Sequence, residues 1–186
     1  MEQVNKMAFA LAELQSNLEV YKGLFQEKED AEVIFSQFQE IGSALKKSLS
    51  TNLIIGCAAL FTDPDKSFGN ENMSFYNLYE KHNDKLSTDT ISLRESIDLI
   101  VKNMNLKTFR NKHVGHFGLD EKLGKQSVDA NITTHNLEEL MTKGQRLLNL
   151  IIRDAQLLPV GHSLAYYTPI PESRSVKRFL DRLCRA

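Results

Sequence analysis

The sequence has no tryptophan and only two cysteines, four prolines and nine glycines in 186 residues. Cys57 and Cys184 belong to no Cys-x-x-Cys or Cys/His pattern, which argues against a structural zinc site and a disulfide framework. No proline lies between Pro64 and Pro159. Because proline breaks helices and glycine marks turns, their scarcity favours long helices over a sheet with many tight turns.

Long hydrophobic runs are also missing. The longest strongly apolar run, Leu53 to Phe61, has nine residues, about half the length of a membrane span. The N-terminal residues carry acidic side chains and no continuous apolar region, so they do not resemble a signal peptide. We therefore expect a cytoplasmic protein with no membrane partner. A composition of 41% hydrophobic and 25% charged residues is typical of a globular domain.

The charges are divided unevenly, although the net charge of the whole chain is −1. Residues 1–98 contain nine basic and sixteen acidic side chains, whereas residues 99–186 contain fourteen and eight. The two halves can attract each other within a bundle or a dimer. The alternative is that the basic half faces a polyanion.

Apolar residues at helical spacing predict two long N-terminal helices. The first stripe steps alternately by three and four residues over about 2–25: Val4, Met7, Leu11, Leu14, Leu18, Tyr21 and Phe25. The second stripe runs into the apolar run at 53–61 and comprises Ile34, Phe38, Ile41, Leu45 and Leu49. Asp63 and Pro64 end this helix, whose later part is apolar on several faces and is therefore expected to be deeply buried.

Further helices are predicted along the rest of the chain. Ser74 caps a short helix at about 75–84, and another helix begins near Thr88 or, by capping-box spacing, at Ser92. A leucine-rich helix follows Thr134 or Asn136 and continues to a proline at position 159. A short basic helix at the C-terminus is expected to dock on the acidic half of the chain.

These elements predict an all-α bundle of four main long helices plus short extra helices, in a single domain. We divide it into an N-terminal helix and connector (1–30), a helical core (31–158) and a C-terminal arm with the basic helix (159–186). The apolar stripes can pack within one chain or pair two chains, and the pattern alone does not decide between these arrangements.

Common catalytic motifs are absent from the sequence. It has no GxxxxGK[ST] or GxGxxG loop for phosphate, no GxSxG nucleophile turn and no paired Glu-x-x-His motif for two metal ions. We therefore expect neither a cofactor nor a metal, and any chemistry must come from other polar side chains.

One polar cluster lies where an apolar helix runs into a long loop. Within ten positions it contains Lys107, Arg110, Asn111, Lys112, His113 and His116. Arginine grips phosphate through two donors, and histidine transfers protons near neutral pH. Such groups are sufficient to cleave RNA without a metal, because one moves the proton and the cation stabilises the crowded phosphorus.

Geometry limits how this cluster can work. On a continuous α-helix, Arg110 and His116 would be about 120° apart. They converge only if the helix distorts or ends, for which Gly115 is a suitable place, or if a second chain completes the site across a two-fold axis. The alternative interpretation is that Arg110 and His116 cap a helix end or pair with acidic residues of the first half.

The segment from Arg110 to His116, RNKHVGH, resembles the Arg-polar-x(3–5)-His motif of HEPN domains, which are all-α bundles. The surrounding sequence is similar to the abortive-infection AbiU-type branch of that superfamily. A long apolar helix ends in CAALFTD (57–63), similar to a "LARLFD" phrase, and is followed by a short helix after Ser74 and a final leucine-rich helix. Gly115 stands where alanine is common in the family.

The resemblance implies a metal-independent endoribonuclease with a phage-defence or toxin role, built as a homodimer. Arg110 would bind and polarise the scissile phosphate, His116 would be the acid/base, and Asn111 would orient the site. Lys107, Lys112 and His113 would contact the RNA. A regulatory or antitoxin protein would be a further partner. The alternatives are a non-catalytic RNA- or nucleotide-binding module and a helical protein-interaction scaffold.

Overall fold

The computed structural model describes residues 2–115, 130–158 and 175–183, and these residues are almost entirely helical. The α-helices are α1 (Glu2–Phe25), α2 (Lys28–Thr62), α3 (Phe75–His82), α4 (Thr88–Met104), α5 (Leu106–Phe109), α6 (Thr134–Asp154) and α7 (Val176–Leu183). A 3₁₀ turn at Asn83–Lys85 follows α3, and a π-helix at Arg110–Gly115 follows α5. Two short antiparallel strands, β1 (Lys66–Ser67) and β2 (Asn70–Glu71), connect α2 to α3. The predicted all-α fold class is confirmed.

The helix ends show which capping predictions were right. The Ser74 hydroxyl accepts a hydrogen bond from the backbone N–H of Asn77, at 3.2 Å, so Ser74 caps α3 as predicted. The helix α6 is capped by Thr133, one residue before Thr134 and three before Asn136, the two predicted caps. The alternative start of α4 at Ser92 is wrong, because the helix begins at Thr88.

The prediction that the leucine-rich helix continues to Pro159 is also wrong, because α6 ends at Asp154. Gln156 has a left-handed backbone (φ 53°), and the next N–H, of Leu157, bonds back to the carbonyl of Ile152 at 3.0 Å. A left-handed residue with this back-bond satisfies the last carbonyls of the helix and turns the chain away.

The core is built from facing apolar stripes of α1, α2, α4 and α6. Buried side chains of α1 occupy six of the seven predicted positions: Val4, Met7, Leu11, Leu14, Leu18 and Phe25. The α1 helix packs against α2 and α6, and α6 also packs against α4. A Cβ at Gly56 would lie 2.5 Å from a methyl carbon of Leu14, so α1 and α2 approach closely because this residue has no side chain.

The C-terminal part of α2 is deeply buried, as predicted. Its buried residues include Leu53, Cys57 and Phe61, and the Phe61 ring stacks on Phe75 of α3 with 5.0 Å between ring centroids. The end of α2 also contacts α5 and the π-helix. This buried end is therefore held firmly where the polar cluster meets it.

The N-terminal part of α2 departs from the prediction. Phe38, Ile41 and Leu45 are 40%, 67% and 37% exposed, although they belong to the predicted inner stripe. A non-helical backbone at Phe38 (φ −139°, ψ 49°) kinks the helix. Leu24 of α1 and Phe179 of α7 line the same groove as these three residues, so the described helices cover this face of α2 only in part.

The basic helix α7 docks on the acidic half, as expected. Val176 packs against Gly23 of α1, and Leu180 is buried in a cluster with Leu24, Phe25 and Ile34. Its apolar side therefore joins α1 to the start of α2. None of the helices in the described ranges is long and apolar enough to span a membrane.

Candidate functional site

The polar cluster meets the end of α2 through an ion pair. A guanidinium nitrogen of Arg110, Nη2, donates a hydrogen bond to Oδ1 of Asp63 at 2.9 Å. The two side chains are 47 residues apart in sequence, and they are 21% and 24% exposed. The pair therefore joins the acidic half of the chain to the basic half at a half-buried position.

A local turn brings Arg110 to this place. Asn105 ends α4 in a left-handed conformation (φ 51°, ψ 35°), which asparagine tolerates better than most residues. The chain then enters α5, where Leu106 is completely buried and anchors the turn in the core. Arg110 follows within one helical turn and lies against the end of α2.

Asp63 belongs to the candidate site but was not predicted as a member of it, since the sequence placed it only at a helix end and in the phrase at 57–63. It is the C-cap of α2, where the partial negative charge of the helix dipole disfavours a carboxylate. A nearby cation offsets this repulsion. An aspartate directly after a helix C-terminus is therefore a sequence signal for a specific cationic partner.

Arg110 retains unused hydrogen-bonding capacity. Its Nε is buried and has no hydrogen-bond partner among the described residues. A buried donor without a partner is unfavourable, and the guanidinium presents five N–H donors in a rigid plane. Arg110 thus has donor capacity beyond its bond to Asp63, with Nε itself enclosed by protein atoms.

The π-helix determines the path between Arg110 and the predicted histidine. The turn from Arg110 to Gly115 is wider than an α-helix, and such segments are frequent at functional sites. The helix is therefore distorted as far as Gly115. His116 lies outside the described residues, and so does the side chain of His113.

The remaining members of the cluster lie beside Arg110. Lys107 is one turn earlier and exposed, Asn111 follows directly and is half-buried, and Lys112 is exposed. The structure thus places Lys107, Arg110, Asn111 and Lys112 on one short segment at the end of α2. Within the described ranges, no group of three or more His, Cys, Asp or Glu side chains is arranged to hold a metal ion.

A groove next to Arg110 was also missed from the sequence. It has a volume of about 360 Å³ and is lined by residues of α2, α3, α4 and α5, among them Phe61, Thr62, Tyr76, Asp98, Lys102 and Lys107. Behind it, the buried guanidinium of Arg94 stacks on the Tyr76 ring at 3.8 Å from the centroid. We call this feature the lysine groove.

Two other titratable groups have structural roles. Burial raises the pKa of the Cys57 thiol to about 12, so this cysteine is no thiolate nucleophile at neutral pH. Burial opposes the charge of Asp154, but hydrogen bonds from Thr90, from the hydroxyl and N–H of Ser87 and from Arg153 outweigh it and hold its pKa far below the usual range. Asp154 thereby fastens the end of α6 to the start of α4.

The comparisons with known proteins add no relative. No protein-family model matches this chain, and no curated protein or solved structure matches it significantly.

Proposed function

We propose that the chain is a metal-independent endoribonuclease of HEPN type, which acts as a homodimer in a cytoplasmic phage-defence or toxin role. A regulatory or antitoxin protein would control it. The observation that carries the proposal is the half-buried guanidinium of Arg110, held at the end of α2 by Asp63 and followed by the π-helix. The motif from Arg110 to His116 supplies the second catalytic group.

In the proposed reaction, the 2′-oxygen of a ribose attacks the adjacent phosphorus, and the bond from phosphorus to the 5′-oxygen breaks. His116 takes the proton of the 2′-hydroxyl or gives one to the leaving 5′-oxygen. Arg110 donates hydrogen bonds to the phosphoryl oxygens, where negative charge increases in the transition state. The products are a 2′,3′-cyclic phosphate and a 5′-hydroxyl.

Asp63 would act as a positioning residue in this scheme. By accepting a hydrogen bond from Nη2, it fixes the plane of the guanidinium and leaves the other donors for the phosphate. Asn111, directly after Arg110, would orient the RNA, and Lys107, Lys112 and His113 would contact its backbone.

The first test measures cleavage. Purified protein is incubated with total RNA in EDTA, in parallel with Arg110→Ala and His116→Ala. The matched controls are Arg146→Ala and His135→Ala, which remove exposed residues of α6 far from the cluster in sequence. We expect fragments ending in a cyclic phosphate from the wild type and both controls, and none from the two site variants. Cleavage that survives Arg110→Ala would refute the proposal.

The second test asks whether one chain or two chains form the site. If Arg110 of one protomer works with His116 of the other, mixing the two inactive variants creates one intact site in each mixed dimer. Random pairing would restore about a quarter of wild-type activity. If the mixture of Arg110→Ala and His116→Ala stays inactive although sedimentation shows that it contains dimers, both residues of each site come from one chain.

The ion pair itself favours a second candidate, a helical protein-interaction scaffold in which Arg110 has a structural role. Arg110 pairs with an acid of the first half, as the alternative interpretation of the cluster expected. If the wild type neither binds nor cleaves RNA, and both site variants keep an unchanged fold, the scaffold replaces the nuclease. RNA binding without cleavage, weakened by Arg110→Ala, would instead support a non-catalytic RNA- or nucleotide-binding module.

A further inference from the structure

We propose that the lysine groove binds single-stranded RNA beside the phosphate that Arg110 contacts, with one unpaired base stacked on Tyr76. This inference rests on the proposed function for the identity of the nucleic acid. Its support comes from the charges, the aromatic ring and the position of the groove.

The charges of the groove favour a polyanion. Lys102 and Lys107 are exposed, and within the described part of the chain neither ammonium group is within 4.0 Å of a carboxylate. The one acidic residue of the lining, Asp98, is paired with Arg94 at 2.9 Å. Two unpaired cations therefore face the groove beside a neutralised acid, as expected for a site that binds successive phosphates.

A larger groove of the molecule has the opposite character. It has a volume of about 640 Å³ and lies between α1, the start of α2 and α6. Its charged lining comprises Lys22 and four acidic residues, Glu19, Glu27, Asp30 and Glu138. This larger groove would repel a phosphate backbone, so size alone does not select the site.

Tyr76 is held ready for stacking. Arg94 covers the ring on one side, and the Tyr76 hydroxyl donates a hydrogen bond to Oδ1 of Asp98 at 3.4 Å. The residue still remains 37% exposed and lines the groove. A fixed aromatic ring beside cationic side chains is the usual arrangement for binding a single strand, because a base stacks only when it is unpaired.

The groove is continuous with the proposed cleavage site. Lys107 lies three residues before Arg110, and residues at this spacing are neighbours on a helical surface. On the opposite side, Pro64 lines the groove directly after Asp63. A strand that crosses the groove therefore lies beside the two segments that carry the ion pair.

The test uses a short fluorescent oligoribonucleotide in which every 2′-hydroxyl is methylated. Such a probe lacks the nucleophile and cannot be cleaved, so anisotropy reports binding alone. The variants are Lys102→Glu, Lys107→Glu, Tyr76→Leu and Tyr76→Phe. The controls are Lys28→Glu, at the far end of α2, and Tyr79→Leu, on the same helix as Tyr76 but outside the groove lining. Melting midpoints confirm that each variant is folded.

We expect each lysine reversal and Tyr76→Leu to weaken binding about tenfold. Loss of one phosphate contact should also reduce the slope of log affinity against log salt by about one. Tyr76→Phe and both controls should bind like the wild type, and a duplex of the same sequence should bind at least several-fold more weakly.

The outcomes separate this inference from the nuclease proposal. If the groove variants weaken binding but the wild type cleaves no RNA, the groove is an RNA site and the nuclease is refuted. If cleavage depends on Arg110 while all groove variants bind within twofold of the wild type, the groove proposal is overturned. It is also overturned if the wild type does not bind the probe, or if the duplex binds equally well.

Discussion

Two arginine–aspartate pairs lie beside the lysine groove, and they are built differently. Arg94 and Asp98 are four residues apart on α4, and their side chains are 6% and 42% exposed. Arg110 and Asp63 come from separate elements and are about equally exposed. Nε of Arg94 donates to Asp98 at 3.2 Å. Each guanidinium also has a buried nitrogen with no hydrogen-bond partner among the described residues, Nη1 in Arg94 and Nε in Arg110.

The difference assigns the two arginines different tasks. The Arg94 guanidinium has a ring against its face and a carboxylate on its edge, so it serves to hold Tyr76 and α4 in place. Arg110 makes one long-range hydrogen bond, and its side chain is 21% exposed against 6% for Arg94, so a ligand can approach it more readily. The same pair of residue types is thus structural on α4 and suited to anion binding at the end of α2.

The largest expected effect is on cleavage. Arg110→Ala should lower the cleavage rate by about 100- to 1000-fold, because it removes the donors to the developing oxyanion. The melting midpoint should change by only a few degrees. Arg110→Lys should restore little activity, since an ammonium cannot present two parallel donors. Cleavage by Arg110→Ala at the wild-type rate would show that the two arginines do not differ in function.

Substitutions in the pair of Arg94 and Asp98 should mainly change the free energy of unfolding. Asp98→Ala leaves the buried Arg94 charge unpaired and should lower the free energy of unfolding by about 3 kcal/mol. Adding Arg94→Leu should recover much of this loss, because no buried charge then remains. Urea unfolding of the two single variants and the double variant measures this coupling. A single Asp98→Ala variant as stable as the wild type would contradict the structural assignment.

Asp154 offers a third carboxylate for comparison with the two ion pairs, because its main hydrogen-bond donors include two hydroxyl groups. Its contribution to stability should depend on pH. Asp154 has a lowered pKa, so its stabilisation is full above the unfolded pKa of about 3.9 and is lost as the pH falls towards the folded value. Asp154→Asn should lower the free energy of unfolding by about 2 kcal/mol at pH 7. The difference from the wild type should shrink between about pH 5 and pH 2. A gap that stays constant over this range would mean that the charge of Asp154 does not contribute.

The smallest effect is expected at Asp63. Asp63→Asn should lower the free energy of unfolding by about 1 kcal/mol, because both partners of the pair are partly hydrated. Thermal unfolding of Asp63→Asn is compared with that of Asp65→Asn, a control substitution two residues further along the chain. Cleavage should fall less than in Arg110→Ala, since the guanidinium remains but is less well oriented. A loss of stability as large as that of Asp98→Ala would remove the contrast between the pairs.

Local patterns predicted much of the fold. The stripe on α1 and the Ser74 cap depend on spacing within one segment, and both are confirmed. The stripe at Phe38, Ile41 and Leu45 has the same spacing but is exposed, because the helix kinks at Phe38 and the described helices cover this face only in part. Periodicity shows which face of a helix is apolar, but it does not show what packs against that face.

The site could be predicted only in part for the same reason. Lys107, Arg110, Asn111 and Lys112 are adjacent in sequence, so their chemistry is visible there. Asp63, Tyr76 and Lys102 come from separate elements and meet the cluster only through tertiary packing. Of these, only Asp63 had a local signal, as an acid at the unfavourable end of a helix.

The wide turn at Arg110–Gly115 has a consequence for variation in length. A turn of this kind contains about one residue more than an α-helix needs to cover the same path. Removing a single residue there would let the backbone relax to the narrower α-helix over the same path, so the residues after the turn would keep their places. A single-residue deletion in this stretch should therefore leave the fold intact and disturb mainly the placement of the site residues within the turn.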